Sequence, residues 1–351
     1  MADLLMFSEA NALGHSVAGS TSPNPPVGCV LYDSTGQRVI GRGATEPAGG
    51  AHAEVVAIRD ALHNGESTVD ARAVVTLEPC NHTGRTGPCS QALIDAGITR
   101  VDFLFSDPNP VAVGGADHLR EHGIDVHGPY LPLPYCDETR SSFQWLPQFS
   151  VEPWLVSTVM KRPHVTLKLA STIDGFVAAS DNTSKWITSE QARRVVHEDR
   201  RHRDAIIVGT GTVKADNPRL TARGEDGTPY PQQPLRVIMG QRSIPEDSHI
   251  YDAPGRALHI RSHDVKEVLA DLRSRGIVDV LVEGGPRLTG AFLKAGIADA
   301  IQLYQAPAFL LAGYRNVECD ANLASTLDDI QRFTPRSVST LGPDILLSLS
   351  H

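Results

Sequence analysis

The chain lacks most of what would commit it to a membrane, to export or to a nucleic-acid surface. No apolar run approaches the roughly 18 residues of a membrane-spanning helix, and no basic, apolar segment of the secretory kind opens the sequence, so a cytoplasmic protein without a membrane partner is expected. Cysteine is scarce. Of the five, Cys29, Cys136 and Cys319 are scattered without the spacing of a disulfide framework, and Cys29 reads as a small core residue inside an apolar run. Positive charge is in deficit: 32 Lys and Arg against 41 Asp and Glu leave a formal charge of −9, which opposes binding to nucleic acid and favours small substrates. Aromatics make up only 5%, yet 41% hydrophobic and 21% charged residues are globular proportions, and 351 residues suit two domains better than one.

Against this background Cys80 and Cys89 stand out, because His52-Ala53-Glu54 precedes them. His52, Cys80 and Cys89 would leave a tetrahedral zinc one open position, as catalytic sites do. Residues two apart on a helix point roughly 200° away from each other, so His52 and Glu54 can serve one site only at a helix N-terminus. Gly49-Gly50 supplies the break, and Ala53, Val55, Val56, Ala57, Ile58 and Ala61 then read as a largely buried helix. Pro79, after the strand-like run 74–77, predicts a second helix from Cys80 to Gly97 with Cys80 at its N-terminus. Zinc can lower the pKa of water from 15.7 to about 7, which leaves Glu54 to move protons. His-x-Glu with Pro-Cys is the pattern of zinc nucleobase deaminases, in which two residues separate the cysteines. Here the eight residues 81–88 intervene and bring His82 and Arg85 to the metal's edge, where a substrate larger than a bare base would use them. A closed structural zinc would need His82 as its fourth ligand.

The first half alternates strands and helices as an α/β layer structure does. Prolines 147, 153 and 163 interrupt the periodicity, which places a linker at 147–162 between a domain of residues 1–146 and another of residues 163–351. In the second half, Gly209-Thr210-Gly211-Thr212 follows the strand 205–208, and Glu283-Gly284-Gly285-Pro286 follows the strand 278–282. Glycine turns at strand ends can align backbone N–H groups on an anion, consistent with a phosphate-bearing cofactor, although neither turn is a Gly-x-Gly-x-x-Gly fingerprint.

Taken in order, Asn24-Pro25-Pro26-Val27-Gly28-Cys29, His52-Ala53-Glu54, Glu78-Pro79-Cys80-Asn81-His82-Thr83-Gly84-Arg85-Thr86 with Cys89, and Asp107-Pro108-Asn109-Pro110 resemble the deaminase half of the bifunctional riboflavin-biosynthesis deaminase/reductase family. Lys168-Leu169-Ala170 with Asp174-Gly175, Trp186-Ile187-Thr188-Ser189, Gly211-Thr212-Val213 with Asp216-Asn217-Pro218, Leu220-Thr221 with Arg223, and Glu283-Gly284-Gly285 resemble its reductase half. The resemblance spans nearly the whole chain. It implies an N-terminal cytidine-deaminase-like α/β/α domain and a C-terminal dihydrofolate-reductase-like α/β domain, with zinc and NADPH as cofactors. It further implies hydrolytic deamination of a phosphoribosylated diaminopyrimidine, followed by reduction of its ribosyl group to ribityl.

By position, the resemblance assigns the metal to His52, Cys80 and Cys89 and catalysis to Glu54, Lys168 and Glu283. The deaminase substrate falls to Asn24, His82, Arg85 and Asn109, and the reductase substrate to Ser184, Leu220, Arg223 and Glu283; beside these, Arg200 and Arg223 are expected as phosphate clamps because a guanidinium pairs bidentately with phosphate oxygens. NADPH falls to Ala170, Trp186, Thr212, Asp216 and the stretch Gly285, Pro286, Arg287, Leu288, Thr289, Gly290 and Ala291. A homo-oligomer through the reductase half is compatible with these assignments. Thr172 replaces the family's Ser, and Met239-Gly240 replaces a frequent Asp-Ser. A nucleic-acid deaminase and a non-catalytic zinc-fold sensor are the competing readings; acidity and the reductase-like half oppose the first, and silence of a Glu54→Ala change would mark the second.

Overall fold

The structure, a computed structural model, describes residues 2–82, 87–134, 146, 148–181, 183–184, 187–319 and 326–351. The chain forms two compact units, one of residues 1–142 and 148–161, the other of residues 143–147 and 162–351. Among the described residues no helix is long and apolar enough to cross a membrane.

The first unit begins with helices α1 (Ala2–Leu5) and α2 (Ser8–Val17). It continues through β1 (Gly28–Tyr32), β2 (Val39–Ala44), α3 (Ala53–His63), β3 (Arg72–Leu77), α4 (Cys89–Asp95), β4 (Arg100–Phe105), α5 (Gly115–Glu121), β5 (Asp125–His127) and α6 (Glu152–Met160). The sheet order is β2-β1-β3-β4-β5, with β1 antiparallel to both neighbours and β3, β4 and β5 parallel. Helix α2 packs on one face, while α3, α4 and α5 follow one another on the other. The result is an α/β/α sandwich. Small side chains let α3 approach closely: Ala53, Ala57 and Ala61 are fully buried, and a Cβ on Gly43 of β2 would lie 2.1 Å from the Ala53 carbonyl oxygen. This contact holds the N-terminus of α3 against the sheet.

Two expectations are corrected here. Cys80 does not begin a helix: it follows β3 in non-helical chain, and the helix starts at Cys89 with Pro88 as its N-cap, so Cys89 is the thiol at a helix start. Nor is the segment after Pro147 a linker without structure. Pro153 stands in the first turn of α6, where its missing N–H costs nothing, and Glu152 accepts a bond from the Phe149 N–H at 2.9 Å. Trp154, Leu155 and Val156 are buried, and the segment belongs to the first unit.

The second unit contains β6 (His164–Thr172), β7 (Phe176–Ala178), α7 (Glu190–Arg201), β8 (Ala205–Gly209), α8 (Thr210–Asp216), β9 (Leu235–Met239), α9 (His249–Asp252), β10 (Ala257–Ile260) and α10 (Val265–Ser274). These are followed by β11 (Asp279–Val282), α11 (Pro286–Lys294), β12 (Ala300–Ala306), β13 (Tyr314–Arg315), β14 (Thr334–Leu341) and β15 (Asp344–Ser350). Eight strands form one sheet in the order β10-β9-β8-β11-β6-β12-β15-β14. The strands from β10 to β12 run parallel, and β15 and β14 extend the edge antiparallel. Both faces are covered. Ile207, Val237 and Val280 enter one apolar cluster, while Ile206, Ile238 and Leu281 enter another, so the central strands read as continuous apolar runs rather than alternating ones.

Candidate active sites

In the first unit, His52 is the N-cap of α3 in extended conformation, so its ring leaves the helix as Glu54 enters the first turn. His52 Nδ1 lies 3.6 Å from Cys80 Sγ and 3.3 Å from Cys89 Sγ, and all three ligand atoms are within 4.8 Å of one another. Zinc bonds of about 2.0 Å to nitrogen and 2.3 Å to sulfur, at tetrahedral angles, put such atoms roughly 3.5 Å apart. The residues therefore fit zinc. A hydrogen bond from Cys89, with His52 close by, draws the Cys80 thiol down to about 4, and the same shared proton pushes Cys89 upward. A divalent cation would take that proton's place.

Glu54 is outside the ligand cluster and only 4% exposed. Burial first, and then the charge at Cys80, raise its carboxyl to about 7. Such a group can both take and return a proton near neutral pH. His82 is also outside the cluster; its Nδ1 is buried without a partner among the described residues, which suits a ligand-facing group rather than a fourth metal ligand. Ser90, which sequence reasoning passed over, ties the two cysteine segments together. The Ser90 N–H donates to the Cys80 carbonyl at 3.2 Å, and Ser90 Oγ donates to Asn81 Oδ1 at 2.9 Å. Asn109 sits in a turn closed by its own N–H on Asp107 Oδ1 at 2.8 Å, and burial raises the Asp107 carboxyl to about 6. Asn24 lies in the turn 21–24, its N–H on the Thr21 carbonyl. Arg85 lies outside the described residues.

In the second unit the glycine turns meet. Strands β8 and β11 are adjacent and parallel, but the chain leaves β8 toward β9 and leaves β11 toward β12, on opposite sides. Such a reversal opens a crevice at the carboxyl ends of the strands, the place where open α/β sheets bind ligands. Gly209-Thr210 and Gly284-Gly285 occupy those ends, and the Gly285 N–H donates to Thr212 Oγ1 at 3.2 Å. Gly240 closes the crevice beside β9 with φ of 129°, and a Cβ there would approach Thr210 Oγ1 to 2.9 Å, so the residue replacing serine keeps the turn tight. These backbone-lined ends fit a phosphate-bearing dinucleotide. Residues 285–291 are the N-cap and first turns of α11, but Gly290 packs on the Glu318 carbonyl and Arg287 is exposed and paired with Glu318. Asp216 is exposed at the end of α8, and Trp186 lies outside the described residues.

Beside this crevice sits a buried charged cluster. Arg200 grips Glu283 with both arms, Nε to Oε1 at 2.6 Å and Nη2 to Oε2 at 2.7 Å, and donates Nη1 to the Thr221 carbonyl at 3.1 Å. Lys168 Nζ lies 3.8 Å from Glu283 Oε2 and over the Tyr304 ring at 5.8 Å. Although burial opposes ionisation, Arg200 and Lys168 hold the Glu283 carboxyl down at about 2, while burial lowers Lys168. Arg200 thus has a role that sequence did not reveal: its fork is engaged by Glu283, which leaves Arg223 the freer cation. Arg203 reaches Asp199, Asp279 and Thr166 and thereby fixes the end of α7 that carries Arg200. Leu220, buried, takes φ of 51°, a conformation that bulky residues avoid. Ala170 pairs with Tyr304 across β6 and β12, and Ser184 is half-buried between β7 and α7.

Family models match both units. Residues 4–105 match the cytidine and deoxycytidylate deaminase zinc-binding region, and residues 163–347 match the RibD C-terminal domain. The riboflavin biosynthesis protein RibD of Corynebacterium ammoniagenes is 49% identical, over 95% of this chain and 94% of its own. That of Mycobacterium tuberculosis is 46% identical, over 96% and 95%. The chain belongs to the RibD family. A crystal structure of the diaminohydroxyphosphoribosylaminopyrimidine deaminase/5-amino-6-(5-phosphoribosylamino)uracil reductase of Thermotoga maritima superposes with a TM-score of 0.83 at 31% identity, covering 99% of this chain and 97% of that one. As a RibD-family enzyme of riboflavin biosynthesis, the chain joins a zinc-binding deaminase unit to a reductase unit. The family's serine is replaced by Thr172 without loss of its hydroxyl, which donates to Asp174 at 2.6 Å and accepts the Phe176 N–H at 3.1 Å.

Proposed function

We propose that the first unit removes the exocyclic amine of 2,5-diamino-6-(5-phosphoribosylamino)pyrimidin-4-one, and that the second reduces the ribosyl group of the product to ribityl. Zinc, when bound by His52, Cys80 and Cys89, supplies Lewis acidity toward water. Glu54 takes the proton that water gives up as it attacks the amidine-like ring carbon, and returns it to the departing amine. A carboxyl near 7 suits both halves of that task. Asn24, His82, Arg85 and Asn109 would orient the pyrimidine and its phosphoribosyl arm.

NADPH, when bound along Ala170, Trp186, Thr212, Asp216 and the start of α11, supplies the hydride. Glu283 stays ionised and cannot give up a proton, so it orients and stabilises positive charge on the ribosylamine. Lys168 bears the proton that the opening ribose oxygen would receive. Arg223, with Ser184 and Leu220, would hold the substrate's phosphate end. The observation that carries the reading is the buried Glu54 next to a three-ligand site. Purified, zinc-loaded protein should release ammonia from the diaminopyrimidine ribotide and then oxidise NADPH; intact protein that does neither would overturn it.

A further inference from the structure

The Asn24 loop poses a structural problem. Pro23, Pro25 and Pro26 have no N–H, so the loop cannot tie itself down by a backbone ladder, and its own carbonyls need donors from elsewhere. Internal bonds answer the carbonyls of Thr21, Asn24 and Pro25. Those of Pro23 and Pro26 are answered from more than 120 residues away in sequence, by Trp154 Nε1 at 3.1 Å and Ser150 Oγ at 3.0 Å. The strap is itself anchored on α2. The Ser150 N–H donates to Asn11 Oδ1 at 2.8 Å, and His15 Nε2 meets the Gln148 carbonyl at 2.9 Å. Strap, helix and loop converge at Gly14, where a Cβ would lie 2.2 Å from Ser150 Oγ and 2.5 Å from the Pro26 carbonyl oxygen. Between these contacts Phe149 packs edge-on to Phe105, ring centroids 5.8 Å apart, at the end of β4 that leads into Asp107 and Asn109.

We infer that residues 148–154 are a positioning strap for the deaminase reaction: Trp154 and Ser150 hold the Asn24 loop, and Phe149 braces the strand end before Asn109. The bonds of Ser150 and Trp154 and the ring contact of Phe149 go to the Asn24 loop, α2 and β4, so the strap sets substrate binding and leaves the chemical step alone. The inference rests on the reading that Asn24 and Asn109 contact substrate.

The test uses the full-length, zinc-loaded protein. Trp154→Phe keeps the buried ring and removes the donor; the KM for ammonia release should rise about fivefold to tenfold, the loss of one hydrogen bond. Its kcat, its zinc content and the kinetics of NADPH oxidation by the second unit should be unchanged. Ser150→Ala, which frees the Pro26 carbonyl, should shift KM in the same direction, and it carries the test if Trp154→Phe loses zinc. Unchanged KM in the zinc-loaded variants, or loss of kcat and zinc without a KM shift, overturns the strap. Asn24→Ala separates the two readings. If it leaves KM unchanged the assignment of Asn24 fails, whereas a KM rise there with none in Trp154→Phe or Ser150→Ala removes the strap alone.

Discussion

Replacing Glu283 by glutamine keeps shape and volume but removes the charge that pairs directly with Arg200 and Lys168. Both carboxylate oxygens are engaged, and the side chains of Glu283 and Arg200 are 7% and 12% exposed, so water offers little compensation. Holding the carboxyl at about 2, against an ordinary 4.5, corresponds to about 3 kcal/mol of stabilisation, since one pKa unit is about 1.4 kcal/mol. Breaking a buried pair from one side typically costs about 3–5 kcal/mol, which agrees. The sign follows from linkage. A depressed carboxyl contributes fully above its unfolded value and loses that contribution as pH falls, so the second unit should weaken between about pH 4.5 and 2, and Glu283→Gln should flatten that segment of the curve. Urea unfolding of the full-length protein at neutral and acid pH, followed by hydrogen exchange at the amides of β8 and β11, measures both effects. A variant within about 1 kcal/mol of the parent at neutral pH, with an unaltered acid slope, would refute the charge-cluster argument.

Three further outcomes are expected. Glu54→Gln should lower kcat for ammonia release by about 10² to 10⁴ while zinc, assayed by elemental analysis, stays bound. Cys89→Ser, or dialysis against a chelator, should abolish ammonia release yet leave NADPH oxidation intact when the deaminated substrate is supplied; loss of both activities would show that the metal also maintains the second unit. His197, whose ring burial and the nearby Arg200 and Arg223 hold down at about 4, is neutral; it donates from Nδ1 to the Thr221 carbonyl at 3.0 Å and accepts from Arg223 Nη2 at 3.5 Å. His197→Phe should therefore raise the reductase substrate's KM about tenfold by releasing Arg223, with the NADPH dissociation constant unchanged in a fluorescence titration.

The zinc site was legible in the sequence because its geometry is local. Gly49-Gly50 ahead of His52 marks a helix start, and a helix start is the one context in which His52 and Glu54 serve the same site. The second cysteine was harder: Pro79 resembles a helix opener, but Pro88 and Cys89 occupy those positions, and only coordinates show which proline starts the helix. Pro153 misled in the opposite sense, since a proline that appears to end structure is well tolerated in the first turn of α6. In the second unit the glycine turns could be located on strand ends, yet their meeting depends on β8 lying beside β11, an order that periodicity does not encode. The same holds for Arg200, whose partner Glu283 is 83 residues away.

The two units use one residue type in opposite ways, and the surroundings decide which. Glu54 and Glu283 are both buried glutamates, the first in the opening turn of α3 and the second directly after β11. Around Glu54, burial and the charge at Cys80 outweigh the opposing influences of His52 and Cys89, and the carboxyl rises to about 7. Around Glu283 two cations reverse the effect of burial and the carboxyl falls to about 2. The first can carry a proton at neutral pH; the second can only present a fixed charge. A deaminase step must move protons between water and a leaving amine, whereas hydride transfer to a ribosylamine needs positive charge stabilised at a fixed point. The protein groups around each glutamate therefore match the step assigned to its unit.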